Sequence, residues 1–190
     1  VVVILEGKDL HIRGRHNYEN ICACLSATYD LIDMDKAIAA IKNFNGVEHR
    51  LEFVREINHV KWYNDSVSSS PTRTIAGLNS YDEKIVLIAG GYDKNLDYSP
   101  IAKPILEHVS KLILFGATSD KIYQAVIKEK GNIDIYREKT LDGVVNRAME
   151  VAVPGEIVLF SPASASFDMF KNFADRGRQF KDLVNKLKDH

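Results

Sequence analysis

Short apolar runs alternate with amphipathic segments over most of this chain, and this alternation predicts its fold. Runs rich in β-branched and aromatic residues predict strands at residues 85–89, 112–115, 133–136 and 157–160. Apolar positions at helical spacing predict helices at residues 72–80, 98–108, 119–130 and 141–151. Apolar strands that alternate with helices indicate a mostly parallel sheet with helices on both faces, which is a Rossmann-like α/β fold. Before this region, residues 51–57 and 60–63 predict a strand pair around Asn58 and His59.

The beginning of the chain has a different pattern. Residues 1–6 and 9–13 predict two strands of a hairpin, and residues 18–31 and 33–44 predict two helices. Asn45 and Gly46 are a natural helix stop, because glycine suits the residue after a helix C-terminus. We therefore expect a domain boundary here, with one domain at residues 1–45 and a second at residues 46–190.

The stretch from Phe160 to Phe180 joins a strand, a loop of small residues and an amphipathic helix predicted to begin at Asp168. The apolar face of that helix is predicted to contain Phe170, Phe173, Phe180, Leu183 and Leu187. A helix that opens on a serine-rich loop offers free N–H groups to a carboxylate or a phosphate. The alternative is a plain strand-to-helix connection, and this pattern alone does not decide between the two.

Composition and charge exclude several classes of function. The 190 residues include 25 Lys and Arg against 26 Asp and Glu, so no basic field for nucleic acid is expected. No apolar run approaches the length of a membrane span, and we expect a cytoplasmic monomer. Cys22 and Cys24 lie on a predicted core helix, which favours packing over a disulfide or a metal, and no metal ligands are predicted elsewhere. The strand-like start at Val1, without Met, suggests a piece of a longer protein.

Ligands of such sheets bind beyond the carboxyl ends of the strands. The loops expected there are residues 64–71, 90–94, 116–118 and 161–166. Hydroxyl groups, glycine backbone and one lysine dominate three of the four loops. This chemistry favours a small anionic molecule held by hydrogen bonds, although it does not identify one.

The same loops resemble motifs of the Mur ligase family, most closely those of its D-glutamate-adding members. The matching pieces, in order, are GRHNYEN (14–20), EHRLE (48–52), YNDS with SPT (63–66 and 70–72), LIAGGYDK (87–94) and SPASASFDMFKNFADRG (161–177). The resemblance implies that residues 1–45 end a central ATP-binding domain and that residues 46–190 form the C-terminal, amino-acid-binding domain. The sequence contains no G-x-x-x-x-G-K-[ST] phosphate loop, so this polypeptide is expected to be inactive alone.

The reaction implied by the resemblance is an ADP-forming amide synthesis. ATP phosphorylates the carboxylate of UDP-N-acetylmuramoyl-L-alanine, and the amine of D-glutamate attacks the acyl phosphate. ATP and Mg²⁺ are the implied cofactors, with the Mg²⁺ ligands expected in the central domain. The implied partners are these small molecules, without nucleic acid or membrane.

For ATP, the resemblance implies contacts from Asn17, Asn20, Arg50, Asp65 and Asn172. Asn20 would bind adenine, Arg50 the phosphates and Asp65 the ribose hydroxyls. The plainer alternatives are helix capping for the two asparagines at 17 and 20, a surface ion pair for the arginine, and turn chemistry for the aspartate.

For D-glutamate, the resemblance assigns Lys94 the catalytic role, pairing its ammonium with a substrate carboxylate. Ser69 would bond the α-carboxylate, and Ser166 with the backbone at Phe173 would hold the side-chain carboxylate. The side chain of Phe173 is expected in the core. The alternative for Lys94 is a solvated loop lysine.

Two positions depart from the family pattern. Val67 stands where many relatives have lysine, and Arg73, one helical turn further on, is the candidate replacement for that charge. Ser164 occupies a position that is often cysteine, which is a nearly isosteric change.

Two other readings stay open. One is a different Mur-type or folylpolyglutamate-like amide ligase, against which Gly90, Gly91, Lys94 and the Ser-Phe-Asp stretch at 166–168 favour D-glutamate. The other is a non-catalytic binding module for an amino acid or a nucleotide. A start codon just before Val1, with no ligase domain upstream, would favour that module.

Overall fold

The computed structural model describes residues 5–167 and 169–189 of this chain. Residue contacts divide it into two compact units, Val1–Val47 and Glu48–His190. The division falls close to the predicted boundary. That the first unit ends a central ATP-binding domain and the second is the amino-acid-binding domain stays a prediction.

The first unit is helical where it is described. It contains α1 (Arg15–Thr28) and α2 (Met34–Lys42), close to the two predicted helices. Asp33 begins α2 by accepting hydrogen bonds from the amides of Asp35 and Lys36, which is the expected N-cap chemistry. The helix ends at Lys42, before the predicted stop.

Two expectations for the first unit are wrong. The hairpin is replaced by a 3₁₀ turn at Gly7–Asp9, and residues 10–13 form no strand, while residues 1–4 lie outside the described residues. The amide of Glu6 donates to the Asp9 carboxylate, and such local bonds favour a turn over a strand. Cys22 and Cys24 are exposed rather than packed in a core, since α1 has no buried residue among those described.

The second unit alternates strands and helices as predicted. Its strands are β1 (Glu52–Ile57), β2 (Val60–Asn64), β3 (Ile85–Gly90), β4 (Val109–Phe115), β5 (Asp134–Arg137) and β6 (Ile157–Phe160). Its α-helices are α3 (Pro71–Leu78), α4 (Ala102–His108), α5 (Ser119–Lys128), α6 (Leu141–Val151) and α7 (Phe173–Lys186). A 3₁₀ turn at Ser99–Ile101 leads into α4, so the helix predicted from residue 98 begins as a tighter turn.

The six strands form one sheet in the order β1-β2-β6-β3-β4-β5. All neighbouring pairs are parallel except β1 and β2. Asn58 and His59, which join these two strands, have φ of 50° and 61°, as a two-residue hairpin turn with right-handed twist requires.

Successive residues of a strand point to opposite faces of the sheet. Because both sets are apolar here, helices pack against both faces. Leu87, Leu112 and Leu159 belong to the cluster of buried residues that includes α3, α4 and α5. Val86 and Val158 belong to the cluster of α6 and α7. The predicted α/β fold with a mostly parallel sheet is confirmed.

The last helix begins later than its apolar pattern predicted. It starts at Phe173, with Asn172 as N-cap accepting from the Asp175 amide, and Asp168 lies outside the described residues. Phe180 is buried, and Phe170, Leu183 and Leu187 pack against the same core, as predicted, whereas Phe173 is exposed. Arg176, Gly177 and Val184 are also buried on this helix. The serine-rich loop therefore does not open directly into the helix, and an anion site at this junction stays a prediction.

Candidate active site

Four loops meet at the carboxyl edge of the parallel strands. They are residues 64–71, 90–94, 116–118 and 161–166, following β2, β3, β4 and β6. Main-chain bonds join them: the amide of Asp65 donates to Phe160 O (2.8 Å), and that of Tyr92 donates to Ala165 O (2.9 Å). The loops predicted from topology thus form one continuous surface.

Glycines allow these loops to approach each other closely. Gly90 and Gly91 have φ of 123° and 147°, which favours glycine. A Cβ on Gly90 would lie 1.9 Å from the main-chain oxygen of Phe115, and one on Gly91 would lie 2.4 Å from that of Ala165. The GGYDK segment can therefore be built here only with glycine at both positions.

Lys94 lies at the open side of this surface. Its ammonium is exposed and stands 5.2 Å from the centroid of the Phe167 ring, which is itself 61% exposed. Tyr92 packs edge-on against the same ring, at 6.1 Å between centroids. Asp93 does not neutralise the lysine: its carboxylate pairs with Lys121 at 2.7 Å, and the Lys121 hydrogen bond lowers the pKa of Asp93.

The other residues predicted to bind D-glutamate have different surroundings. Ser69 is half-buried, next to the N-terminus of α3. Ser166 is buried, and its carbonyl accepts from the Phe170 amide at 2.9 Å. The Phe173 side chain is 43% exposed rather than in the core, with its ring edge-on to His49. The carbonyl of Phe173 accepts from Ser66 Oγ at 2.8 Å.

Arg176, which the sequence analysis missed, is buried beneath the loops and hydrogen-bonds to two of them. Its guanidinium is fully buried and donates to Ser66 Oγ and Ser66 O, at 3.0 and 2.8 Å. It also donates to the carbonyls of Ser164 and Ala165, at 3.0 and 2.9 Å. The signal in the sequence is its spacing, because Arg176 precedes the buried Phe180 by four residues and so shares its helix face.

Asp65 is buried beneath the same surface. Ser161 Oγ donates to its Oδ2 at 2.7 Å, and the Leu51 amide donates to its Oδ1 at 3.3 Å. Burial raises the pKa of this carboxyl to about 6, opposed by hydrogen bonds from Ser68 and Ser161. With only 2% of the residue exposed, this geometry favours an internal role over the predicted ribose contact.

His49 and Arg50 have opposite surroundings. His49 is buried at φ 66°, its Nδ1 lies 2.9 Å from Asn64 Nδ2, and burial lowers its pKa. Arg50 is exposed and forms no ion pair or hydrogen bond within the described part of the chain. Its expected alternative partners, Glu48 and Glu52, instead accept from Lys181 at 2.6 and 2.9 Å.

The three asparagines predicted to contact ATP are also placed. Asn17 donates from its side chain to Arg13 O at 2.6 Å, and Asn20 is exposed on α1. Asn172 accepts from the Asp175 amide at 2.8 Å as the N-cap of α7. The ATP contacts of all three stay predictions.

Arg73 lies beside the position where the family pattern has lysine. Its Nη1 donates to the carbonyl of Val67 at 3.3 Å. The arginine can therefore supply a positive charge close to position 67, as predicted from its place in the next turn.

Comparison of the sequence with models of protein families identifies the family to which these loops belong. The family described as "Mur ligase, glutamate ligase domain" matches residues 49–164, which include three of the four loops and most of the fourth. The chain belongs to this Mur ligase family. The resemblance seen in the motifs is confirmed.

Curated relatives carry one name throughout the most similar group. The chain is 48% identical over 190 residues to the UDP-N-acetylmuramoylalanine--D-glutamate ligase of Acetivibrio thermocellus, covering 97% of this chain and 41% of that protein. It is 44% identical to the enzyme of the same name from Clostridium perfringens, covering 94% and 40%. The chain thus spans about 41% of the length of the curated ligases it matches.

Solved structures agree on the fold. A UDP-N-acetylmuramate-alanine ligase from Thermotoga maritima superposes with a TM-score of 0.70 at 17% identity, over 94% of this chain and 40% of that one. A folylpolyglutamate synthase from Mycobacterium tuberculosis gives 0.66 at 14% identity, over 95% and 42%. Among residues 5–167 and 169–189, no helix is long and apolar enough to cross a membrane.

Proposed function

We propose that this chain is the C-terminal part of an ATP-dependent ligase that joins D-glutamate to UDP-N-acetylmuramoyl-L-alanine. The observation that carries the proposal is the 48% identity to a D-glutamate ligase over 97% of the chain. The exposed ammonium of Lys94 at the carboxyl edge of the sheet supports it, because it suits an amino acid with two carboxylates.

In the proposed reaction, the carboxylate of UDP-N-acetylmuramoyl-L-alanine attacks the γ-phosphate of ATP, giving an acyl phosphate and ADP. The amine of D-glutamate then attacks the acyl carbon, and inorganic phosphate leaves as the amide forms. Both steps depend on aligning anions and neutralising their charge. This chain would contribute alignment of D-glutamate and part of the positive charge.

Lys94 is proposed to bind a carboxylate of D-glutamate. Its ammonium forms no ion pair among the described residues, and its cation–π contact with the Phe167 ring does not neutralise it. The half-buried Ser69, and Ser166 with the backbone at Phe173, are proposed to complete the amino-acid site. Lys94 would then fix where the amine points.

Arg50 is the part of this chain that best fits ATP. A guanidinium offers a planar fork of donors that suits phosphate oxygens, and this one is exposed and uncommitted among the described residues. Asn17, Asn20 and Asn172 are proposed as further ATP contacts. Arg73 is the proposed substitute for the lysine missing at position 67.

Mg²⁺, when bound, would neutralise phosphate charge. The ligand atoms of Glu48, His49 and Glu52 lie within 4.8 Å of one another. However, the Lys181 ammonium already stands between the two carboxylates, and Mg²⁺ prefers oxygen ligands. This cluster therefore does not fit Mg²⁺, and we propose that the ion binds outside this chain.

The test is ADP release by the full-length protein with UDP-N-acetylmuramoyl-L-alanine, ATP and Mg²⁺. D-glutamate should support turnover, whereas L-glutamate and L-lysine should not. Lys94→Met should raise the KM for D-glutamate at least about tenfold, since a charge-assisted bond is lost. Lys130→Met is the matched control and should leave the KM unchanged. Lys130 is an exposed lysine just before β5, on the side of the sheet opposite the carboxyl ends of the strands. Turnover with L-glutamate but not D-glutamate would refute the proposal and favour a folylpolyglutamate-like ligase.

A further inference from the structure

Three buried hydroxyl groups connect three loops of the candidate site. Thr118 Oγ1 accepts from the amide of Gly91 at 3.1 Å and lies 2.8 Å from Ser164 Oγ. Ser164 Oγ in turn lies 2.8 Å from the hydroxyl of Tyr98. Thr118 and Ser164 are completely buried, and Tyr98 is 3% exposed, so water does not compete for these bonds. We refer to Thr118, Ser164 and Tyr98 as the hydroxyl relay.

The relay ties together the two loops that carry the proposed D-glutamate contacts. Gly91 lies three residues before Lys94, and Ser164 lies two residues before Ser166. Thr118 belongs to a third loop that carries no proposed contact to substrate. Because Thr118 is fully buried, any effect it has on a ligand must act through its neighbours.

The bond to Gly91 has no simple substitute. The amide of Gly91 is buried, and the residue is held at φ 147° with the Ala165 oxygen too close for a Cβ. The carbonyl of Gly91 accepts from the Thr118 amide at 3.0 Å, so the two residues exchange a pair of bonds. Without Thr118 Oγ1, the Gly91 amide would lose its acceptor, and the loop would have to shift to find another.

We propose that Thr118 is a positioning residue for the amino-acid site. Its hydroxyl, bonded to Gly91 and Ser164, sets the position of the Lys94 loop relative to the Ser166 loop. The inference rests on the proposed function, because it takes D-glutamate as the ligand of those loops. It also predicts a selective effect, since the residues proposed for ATP lie on other segments.

The test compares Thr118 variants in the full-length protein by steady-state kinetics. Thr118→Val keeps the shape and removes the hydroxyl, and it should raise the KM for D-glutamate about tenfold while the KM for ATP changes less than about twofold. Thr118→Ser restores the hydroxyl and should return the KM to within about threefold of the wild-type value. Thr140→Val is the matched control, because Thr140 also accepts from a backbone amide, that of Gly143 at 3.0 Å, but outside these loops.

The outcomes separate the inference from the function. A KM for D-glutamate that is unchanged in Thr118→Val, or that rises equally with the KM for ATP, would overturn the positioning role. A wild-type protein that ignores D-glutamate would overturn the proposed function and this inference with it. If circular dichroism shows that Thr118→Val does not fold, Ser164→Ala decides instead: a selectively raised KM supports the relay, and an unchanged KM overturns it.

Discussion

The buried carboxyl of Asp65 predicts a specific pH dependence of stability. Removing this carboxyl from water costs more when it is ionised, and its hydrogen bonds from Ser68 and Ser161 offset only part of that cost. Asp65→Asn removes the ionisation while nearly conserving the shape. The comparison of the wild-type protein with this variant therefore isolates one titration.

The magnitude follows from the two pKa values of the carboxyl. The pKa of the carboxyl is ordinarily 3.8, and burial raises it to about 6 in the folded protein. Between these values the folded state binds more protons than the unfolded state, so the free energy of unfolding falls as the pH rises from about 4 to 6. The total loss above pH 6 is about 3 kcal/mol. Stability relative to Asp65→Asn should therefore fall by that amount and then stay level.

Urea unfolding at several pH values measures this difference. Trp62 is the only tryptophan, is fully buried and lies on β2, so its fluorescence reports on the unit that contains Asp65. The asparagine also alters hydrogen bonds. These changes shift the difference in free energy of unfolding between the two proteins by a constant amount, without changing its dependence on pH. Other carboxyls titrate equally in both proteins and cancel.

A control of opposite sign is available in Asp97→Asn. The amide of Ser99 holds the pKa of the exposed Asp97 carboxylate below its ordinary value, so the wild-type protein should gain stability over this variant as the pH rises. A pH-independent difference for Asp65→Asn, or one that follows the direction of Asp97→Asn, would refute the argument that burial dominates at Asp65.

Three further changes test the surroundings of the site. Arg176→Met should lower the free energy of unfolding by about 3–5 kcal/mol, because buried carbonyls of two loops lose their donor; a loss below about 1 kcal/mol in urea unfolding would contradict this. Gly91→Ala should lower the free energy of unfolding by about 1–3 kcal/mol more than Gly155→Ala does, because both glycines have positive φ but only Gly91 lacks room for a Cβ. Equal thermal midpoints of the two variants would contradict this. Lys181→Met should raise the pKa of Glu48 toward 4.5, because the lysine hydrogen bond that lowers it is lost. NMR titration of the Glu48 carboxyl measures this pKa, and an unchanged value would contradict the prediction.

The strands of the sheet were predictable because their signal is local. Residues 85–89 are apolar without interruption, and the observed strand, Ile85–Gly90, is one residue longer. The helix of residues 141–151 was predicted from its apolar spacing at its observed bounds, Leu141–Val151, and in the structure Thr140 caps it. At residues 9–13 a strand-like pattern was misleading, since a carboxylate–amide bond stabilised a turn.

The organisation of the site was less predictable because its bonds join distant parts of the sequence. Parallel topology alone placed the four loops together. Ser66 and Arg176, however, are 110 residues apart, and no spacing in the sequence pairs them. Asp65 illustrates the same limit: the family resemblance suggested a ribose contact, and no sequence pattern indicated its bonds to the Leu51 amide and Ser161 Oγ.

Burial divides the basic residues of this unit by role. Arg176 is enclosed and holds loops, and Lys181 is held by two carboxylates, so neither can follow a substrate. Lys94 and Arg50 are exposed, and neither forms an ion pair among the described residues. An anionic substrate gains most from charges that the protein has not already neutralised, because no internal partner must be displaced. The enclosed Arg176 thus links two loops of the surface, and the exposed Lys94 and Arg50 are the cations that we propose for ligand binding.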